Sequence, residues 1–322
     1  MTHSQILSTS SSDEHQKAAE KLRAGHLVAF PTETVYGLGA DATNESAVKK
    51  IYAVKGRPIH HPLIVHISSM DKLDIWARDI PEYALSLART FWPGPMTLIL
   101  KRKKIAKDFV TGGQESVGIR VPSNPIAMDL LKKFESLGGF GVAAPSANRF
   151  GQVSPTSVQD VREEIGEYLG NLDLILDGEH SEIGIESTII DCRDSIPAIL
   201  RPGVITEEMI KSVVQRVYVT SLLKNTRVSG NLEKHYAPKV KVIINQKPKP
   251  GQAFVALCGV ETPEGVIRIF SPGNSADFAK KIYSVMRSAD VLGFDELVIR
   301  IPEGKGIEVA LLDRLTKAAM GR

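Results

Sequence analysis

Phe30-Pro31-Thr32-Glu33-Thr34-Val35-Tyr36-Gly37-Leu38-Gly39-Ala40 is the stretch on which the reading of this chain turns. The apolar run over residues 27–30 predicts a buried strand. It must stop at Pro31, because proline has no N–H for a sheet ladder and restricts the residue before it. Hydroxyls (Thr32, Thr34, Tyr36) and a carboxylate (Glu33) then stand between that strand and two glycines. A strand ending in a polar, glycine-permitted turn is where open α/β sheets place ligands. Taken alone, the stretch equally suits an ordinary strand–turn–helix connection. Gly37 to Ala42 also matches G-x-G-x-x-A, but basic Lys55 and Arg57 stand where a dinucleotide fold needs an acidic strand end.

The same grammar recurs downstream. Strands are expected over 63–67, 96–100, 117–121, 141–144, 172–177 and 189–192. Helices are expected over 13–24 (capped by Ser12), 45–54 (capped by Asn44), 70–77, 81–91, 125–137 and 157–165, and from Glu207 after Thr206. Several strands end on polar groups: Thr32 to Tyr36, Arg120, Ser146 to Asn148, and Arg201. That repetition predicts strand ends opening onto one cavity. Alternating strands and helices make the class α/β.

At 322 residues the chain is long for one domain. After Val219 its character changes to a polar stretch carrying His235-Tyr236-Ala237-Pro238, and a second α/β pattern starts at Lys239. The expected division is 13–220 for a first domain, 221–238 for a linker, and 239–322 for a small α/β domain. A net charge of +3 is too mild to argue for nucleic acid by itself. Cys192 and Cys258 are too few and too far apart for a disulfide framework or a zinc site, which reads as a reduced, cytoplasmic compartment. No apolar run approaches the ~18–20 residues that cross a bilayer. Met1 to Ser12 has no apolar centre and is expected to be a frayed tail rather than a secretory signal.

Single residues leave alternatives open. Lys55 and Arg57 either cap a helix C-terminus or bind phosphate. His66 on a buried strand is either a satisfied core group or a site residue. Arg120 among Val117, Ile119 and Val121 needs a partner, and an anionic ligand or a protein carboxylate serves equally. Ser146 lacks a G-x-S-x-G elbow and suits a hydrogen-bond donor to an anion better than an acyl nucleophile. Glu33 and Glu186 are candidates for an acid/base pair. The basic run Lys101 to Lys104 is a solvated face or a loose tRNA contact.

Taken together, Lys-Gly-Arg-Pro at 55–58, Pro-Leu-Ile-Val-His at 62–66, Trp-Pro-Gly-Pro-Met-Thr at 92–97, Val-Gly-Ile-Arg-Val-Pro at 117–122, Ala-Pro-Ser-Ala-Asn at 144–148, Glu-Ser-Thr-Ile-Ile at 186–190 and Leu-Arg-Pro-Gly at 200–203 resemble the YrdC-like threonylcarbamoyl-AMP synthase family. The likeness covers about residues 15–215, and His-Tyr-Ala-Pro at 235–238 with the second domain resembles the long, two-domain form. Ser229 to Lys234 departs from the proline-glycine-methionine more often found there.

The resemblance implies a YrdC-like twisted mixed sheet around an open concave site, with a Rossmann-like C-terminal domain. It implies a reaction: L-threonine, bicarbonate and ATP, with Mg2+ on the ATP phosphates, give threonylcarbamoyl-AMP and pyrophosphate. A tRNA threonylcarbamoyltransferase complex then uses the product. No residue is a covalent nucleophile, and no protein side chain need hold the metal. Thr32, His66, Arg120, Ala144 and Ser187 would surround threonine. Lys55, Arg57, Thr111, Ser146, Ser154, Arg201 and Tyr236 would hold ATP. Tyr36 and Asn148 would line the site, and Tyr236 would close over it as a lid. The rivals are a non-catalytic RNA-binding YrdC-like protein and a carbamoyl-adenylate-forming enzyme. The latter normally carries zinc-finger segments that two cysteines cannot build.

Overall fold

The computed structural model describes residues 5–7, 11–219, 227–228 and 235–321. Its opening stretch is a hairpin rather than a strand–turn–helix connection. Strand Val28–Phe30 pairs antiparallel with strand Gly37–Asp41, Phe30 opposite Gly37 and Val28 opposite Gly39. The two glycines therefore belong to a strand. At Gly39 a Cβ would stand 2.8 Å from both Phe30 Cε1 and Val142 Cγ1, so the missing side chain makes room for packing rather than for a phosphate.

A twelve-stranded mixed sheet grows outward from this hairpin. Strand Val142–Ala143 lies antiparallel beside Gly37–Asp41 and also beside Ile64–His66. Ile64–His66 runs parallel to Ser116–Arg120, with His66 directly opposite Arg120. Met96–Arg102 follows antiparallel, then Thr188–Asp191 parallel to it, then Ala198–Arg201 antiparallel again. On the other side of the hairpin, Leu174–Leu176 runs parallel to Val28–Phe30. Its outer neighbour is Gln5–Leu7, a strand in the segment expected to fray; edge pairing to Leu174–Leu176 supplies its backbone partners. The mixed α/β class expected from the sequence is borne out.

Helices cover the sheet where apolar periodicity placed them. Ser12–Arg23 packs with Pro125–Ser136 around Phe30, Leu130 and Phe134. Its N-cap is Ser11, one residue earlier than expected, and no side chain caps it. Glu45–Lys55 is capped as expected, Asn44 accepting from the Ala47 amide. Thr206 likewise caps Glu207–Val213, and Ser157 with Asp160 forms a capping box ahead of Val158–Ile165.

A second sheet is wholly parallel in the order Lys241–Ile244, Glu296–Ile299, Ala253–Val255, Ile267–Phe270. Helices Ser275–Val291 and Ile307–Ala319 pack against it. Its apolar core also takes in Val35, Val153, Ile185 and Tyr236, so the two sheets meet along a shared seam. Within the expected linker, residues 221–226 and 229–234 lie outside the described residues, the divergent 229–234 turn among them. Val228 is buried among Ile64, Ile99, Ile189 and Leu200, and Arg227 exchanges hydrogen bonds with Gln114.

Candidate active site

The strand ends meet at one small cavity of about 50 Å3. Its walls are Thr32, Thr34, Val35, Tyr36, Gly37, Arg57, Ile64, His66, Arg120, Ala144, Pro145, Ser146, Glu186, Ser187, Arg201, His235 and Tyr236.

The turn after Pro31 folds on its own hydroxyls. Thr32 Oγ1 donates to the Val35 carbonyl at 2.6 Å and accepts from the amides of Thr34 and Val35. This rigid turn carries Glu33 beneath the cavity, where Oε1 accepts from Arg120 at 2.6 Å and Oε2 from the Ser123 amide at 3.1 Å. Thr34 Oγ1 takes a further Arg120 N–H at 3.0 Å. Arg120 thus has a protein carboxylate as its partner, one of the two readings left open by the sequence, and it also lines the cavity. Burial, and then the Arg120 charge, push the neighbouring His66 down to about 3, leaving its ring neutral at pH 7.

On the opposite wall, Ser187 stands at the start of strand Thr188–Asp191 and Arg201 at the end of the antiparallel strand. Arg201 donates to the Ser187 carbonyl at 2.9 and 3.0 Å and to its Oγ at 3.1 Å, and Thr97 shares that hydroxyl at 2.8 Å. Arg57 lies between them and the linker, donating to the Pro62 carbonyl at 2.9 Å with Phe150 beneath its guanidinium. Burial lowers it to about 10, which leaves it cationic at neutral pH.

Some expected residues stand behind the wall instead of in it. Lys55 is fully buried, its ammonium donating to the carbonyls of Ser146 at 2.6 Å and Asn148 at 2.5 Å. It braces the turn that presents Ser146. Asn148 ties the same turn down through the Arg149 and Gln152 carbonyls. Ser154 Oγ donates to Glu186 at 2.6 Å. Thr111 is buried where its hydroxyl accepts from Arg102 at 3.2 Å. Tyr36 lines the cavity with its ring, while its hydroxyl donates to the Glu179 carbonyl and accepts from the Gly178 amide. Glu33 and Glu186 do not make an acid/base pair: each is spent on its own arginine, Arg120 and Arg314. Burial would raise the Glu186 carboxyl, but Arg314 and then Arg201, with hydrogen bonds from Ser154 and Arg314, hold it down at about 2.

The linker supplies the remaining wall. Tyr236 is buried in a left-handed conformation, φ 61°, and its neighbour His235 packs edge-on at 4.0 Å between centroids. Sequence reasoning singled out Tyr236 but neither His235 nor Thr34 as a wall residue. The His-Tyr-Ala-Pro run was the available signal for the first.

Residues 20–203 match the family model described as "Telomere recombination" for the Sua5, YciO and YrdC proteins. Residues 205–320 match the model described as "Threonylcarbamoyl-AMP synthase, C-terminal domain". A threonylcarbamoyl-AMP synthase of Pyrococcus abyssi is 38% identical, covering 94% of this chain and 93% of the relative. One of Bacillus subtilis is 39% identical over 95% of this chain and 93% of the relative. The crystal structure of P. abyssi Sua5 complexed with L-threonine superposes with a TM-score of 0.89 at 34% identity, covering 99% of this chain and 98% of that one. Likeness in sequence and in fold therefore extends through both sheets and the seam between them, and this chain belongs to the Sua5–YciO–YrdC family.

Proposed function

We infer that the chain is a threonylcarbamoyl-AMP synthase, converting L-threonine, bicarbonate and ATP to threonylcarbamoyl-AMP and pyrophosphate. The observation that carries the reading is the charge of the cavity. Arg57, Arg120 and Arg201 line it, all buried, and the acid among its lining residues, Glu186, is already engaged by Arg314. Such a site suits polyanions and gives no group a nucleophile's surroundings. Cys192 is buried with its thiol pushed far up, first by burial.

The chemistry asks for alignment and charge neutralisation. The threonine amine and bicarbonate give a carbamate and water. A carbamate oxygen attacks the α-phosphorus of ATP, and pyrophosphate leaves. In this reading Arg120 receives the threonine carboxylate, beside Thr32, neutral His66, Ala144 and Ser187. Arg57, Arg201 and Ser146 face the phosphates, with Lys55 acting through the Ser146 turn and Ser154 through Glu186. Thr111 stands farther back, and its contact with ATP requires movement. Tyr236 seals the cavity from water, which would hydrolyse the mixed anhydride. Among the described residues no group of three or more His, Cys, Asp or Glu stands together. Magnesium is proposed to arrive on the ATP phosphates, where it would offset their charge.

A tRNA threonylcarbamoyltransferase complex is the proposed consumer of the product. A loose tRNA contact at Lys101 to Lys104 has less support, since Arg102 is spent on Asp108 and Glu115. No helix among the described residues is long and apolar enough to cross a membrane, and a cytoplasmic site of action is proposed. The test is pyrophosphate release with threonine and bicarbonate omitted in turn. Release that needs both supports the reading. Release indifferent to threonine would move it to carbamoyl-adenylate chemistry, and ATP binding without release to an RNA-binding role.

A further inference from the structure

Two side chains of the C-terminal α/β unit reach the back of the cavity wall. Arg314, on helix Ile307–Ala319, is fully buried. Its Nε donates to Glu186 Oε2 at 2.8 Å, a terminal N–H donates to the Pro202 carbonyl at 3.0 Å, and its guanidinium lies 5.3 Å from the Tyr236 ring centroid. Tyr283, on helix Ser275–Val291, donates its hydroxyl to Glu186 Oε2 at 3.0 Å and stacks on Tyr236 at 5.7 Å and 18°. Glu186 adjoins Ser187 and Pro202 adjoins Arg201, so these contacts land on the cavity wall or one residue behind it.

A buried ion pair is a poor way to gain stability alone, because apolar residues of similar volume often serve as well. Its geometric demands suit it to fixing position. We propose that Arg314 and Tyr283 are positioning residues of the active site, fixing Glu186 and seating Tyr236 and thereby setting Ser187 and Arg201. The C-terminal unit is then part of the catalytic apparatus rather than an anchor for the linker. For its kinetic readout the proposal rests on the synthase reading; for its structural readout it does not.

The test uses the full chain. Tyr283→Phe keeps the stacked ring and removes one donor to Glu186. Arg314→Met removes the guanidinium, and Arg314→Lys restores its charge without the fork. Steady-state pyrophosphate release is measured beside the melting temperature and the hydrogen exchange of the Ala237 amide, which donates to the Gly151 carbonyl at 3.0 Å. Tyr283→Phe should lower kcat/KM for ATP about tenfold, the worth of roughly one hydrogen bond to a charged group. Ala237 exchange should quicken, with the melting temperature falling by about 3 °C, the worth of one lost hydrogen bond to a charged group. Arg314→Met should lose more than Tyr283→Phe, and Arg314→Lys should recover part. If Arg314→Met does not fold, Tyr283→Phe decides. Folded variants with wild-type kinetics and wild-type Ala237 exchange would overturn the proposal, as would kinetic losses that only track melting temperature. Should the wild type show no threonine-dependent release, the synthase reading fails, and Ala237 exchange alone judges the proposal.

Discussion

Glu33→Gln tests what Arg120 is for. In the wild type the buried Glu33 carboxylate accepts from buried Arg120 at 2.6 Å and from the amide of exposed Ser123 at 3.1 Å. Glutamine keeps the shape and one acceptor. It faces an N–H against either Arg120 or Ser123, and it leaves the guanidinium uncompensated. Losing one hydrogen bond to a charged group costs ~2 kcal/mol, a fall in melting temperature of about 3 °C for a chain of this size. If the threonine carboxylate docks on Arg120, threonine supplies the missing anion. Its stabilisation of the variant should then exceed that of the wild type. The wild type gains ~2.7 kcal/mol at one hundred times its dissociation constant, and a tenfold tighter site in the variant adds ~1.4 kcal/mol. Thermal melts across a threonine titration, with ATP absent, read both quantities. Equal threonine stabilisation of both proteins would refute the placement of the carboxylate on Arg120.

Other outcomes follow from the same geometry. Arg57→Lys should raise KM for ATP ~tenfold and leave KM for threonine near its wild-type value in initial-rate assays, because an ammonium cannot reproduce the planar fork. Gly39→Ala should destabilise by ~1–3 kcal/mol in denaturant melts, since its Cβ would stand 2.8 Å from Phe30 and Val142 atoms. His66 and His235 are both pushed down to about 3 by burial first, so the unfolded chain binds protons there that the folded chain refuses. Their contribution is intact above pH 6.5 and is lost as pH falls from there toward 3, by up to ~2 kcal/mol each at pH 5. Melts at pH 7 and pH 5 should show that loss, and His66→Gln should lessen it.

The sequence carried the class, most helices and the convergence of strand ends, because those depend on local periodicity, caps and proline. It misplaced Gly37 and Gly39, which read as turn residues by type; their reason for being glycine is the neighbouring strand and the Phe30 ring, which no local pattern reveals. Lys55 shows a different limit. Its type and place offered phosphate binding or helix capping, and the fold uses it to hold two carbonyls of a distant turn. The arginine at 314 was passed over, although it shares the buried face of its helix with Leu311, Leu315 and Ala318. A charge on an apolar helical face was the visible signal; its partner Glu186, 128 residues earlier, was not.

In the synthase reading this one cavity joins threonine, a bicarbonate carbon and the α-phosphate of ATP. Incubating the full chain with threonine, 13C-bicarbonate and magnesium-ATP, and following product by mass spectrometry and 31P NMR, tests it directly. The expected products are pyrophosphate and an adenylate that contains threonine and one labelled carbon. Formation of ADP, or of AMP without a labelled threonine adduct whether or not threonine is present, would contradict that reading.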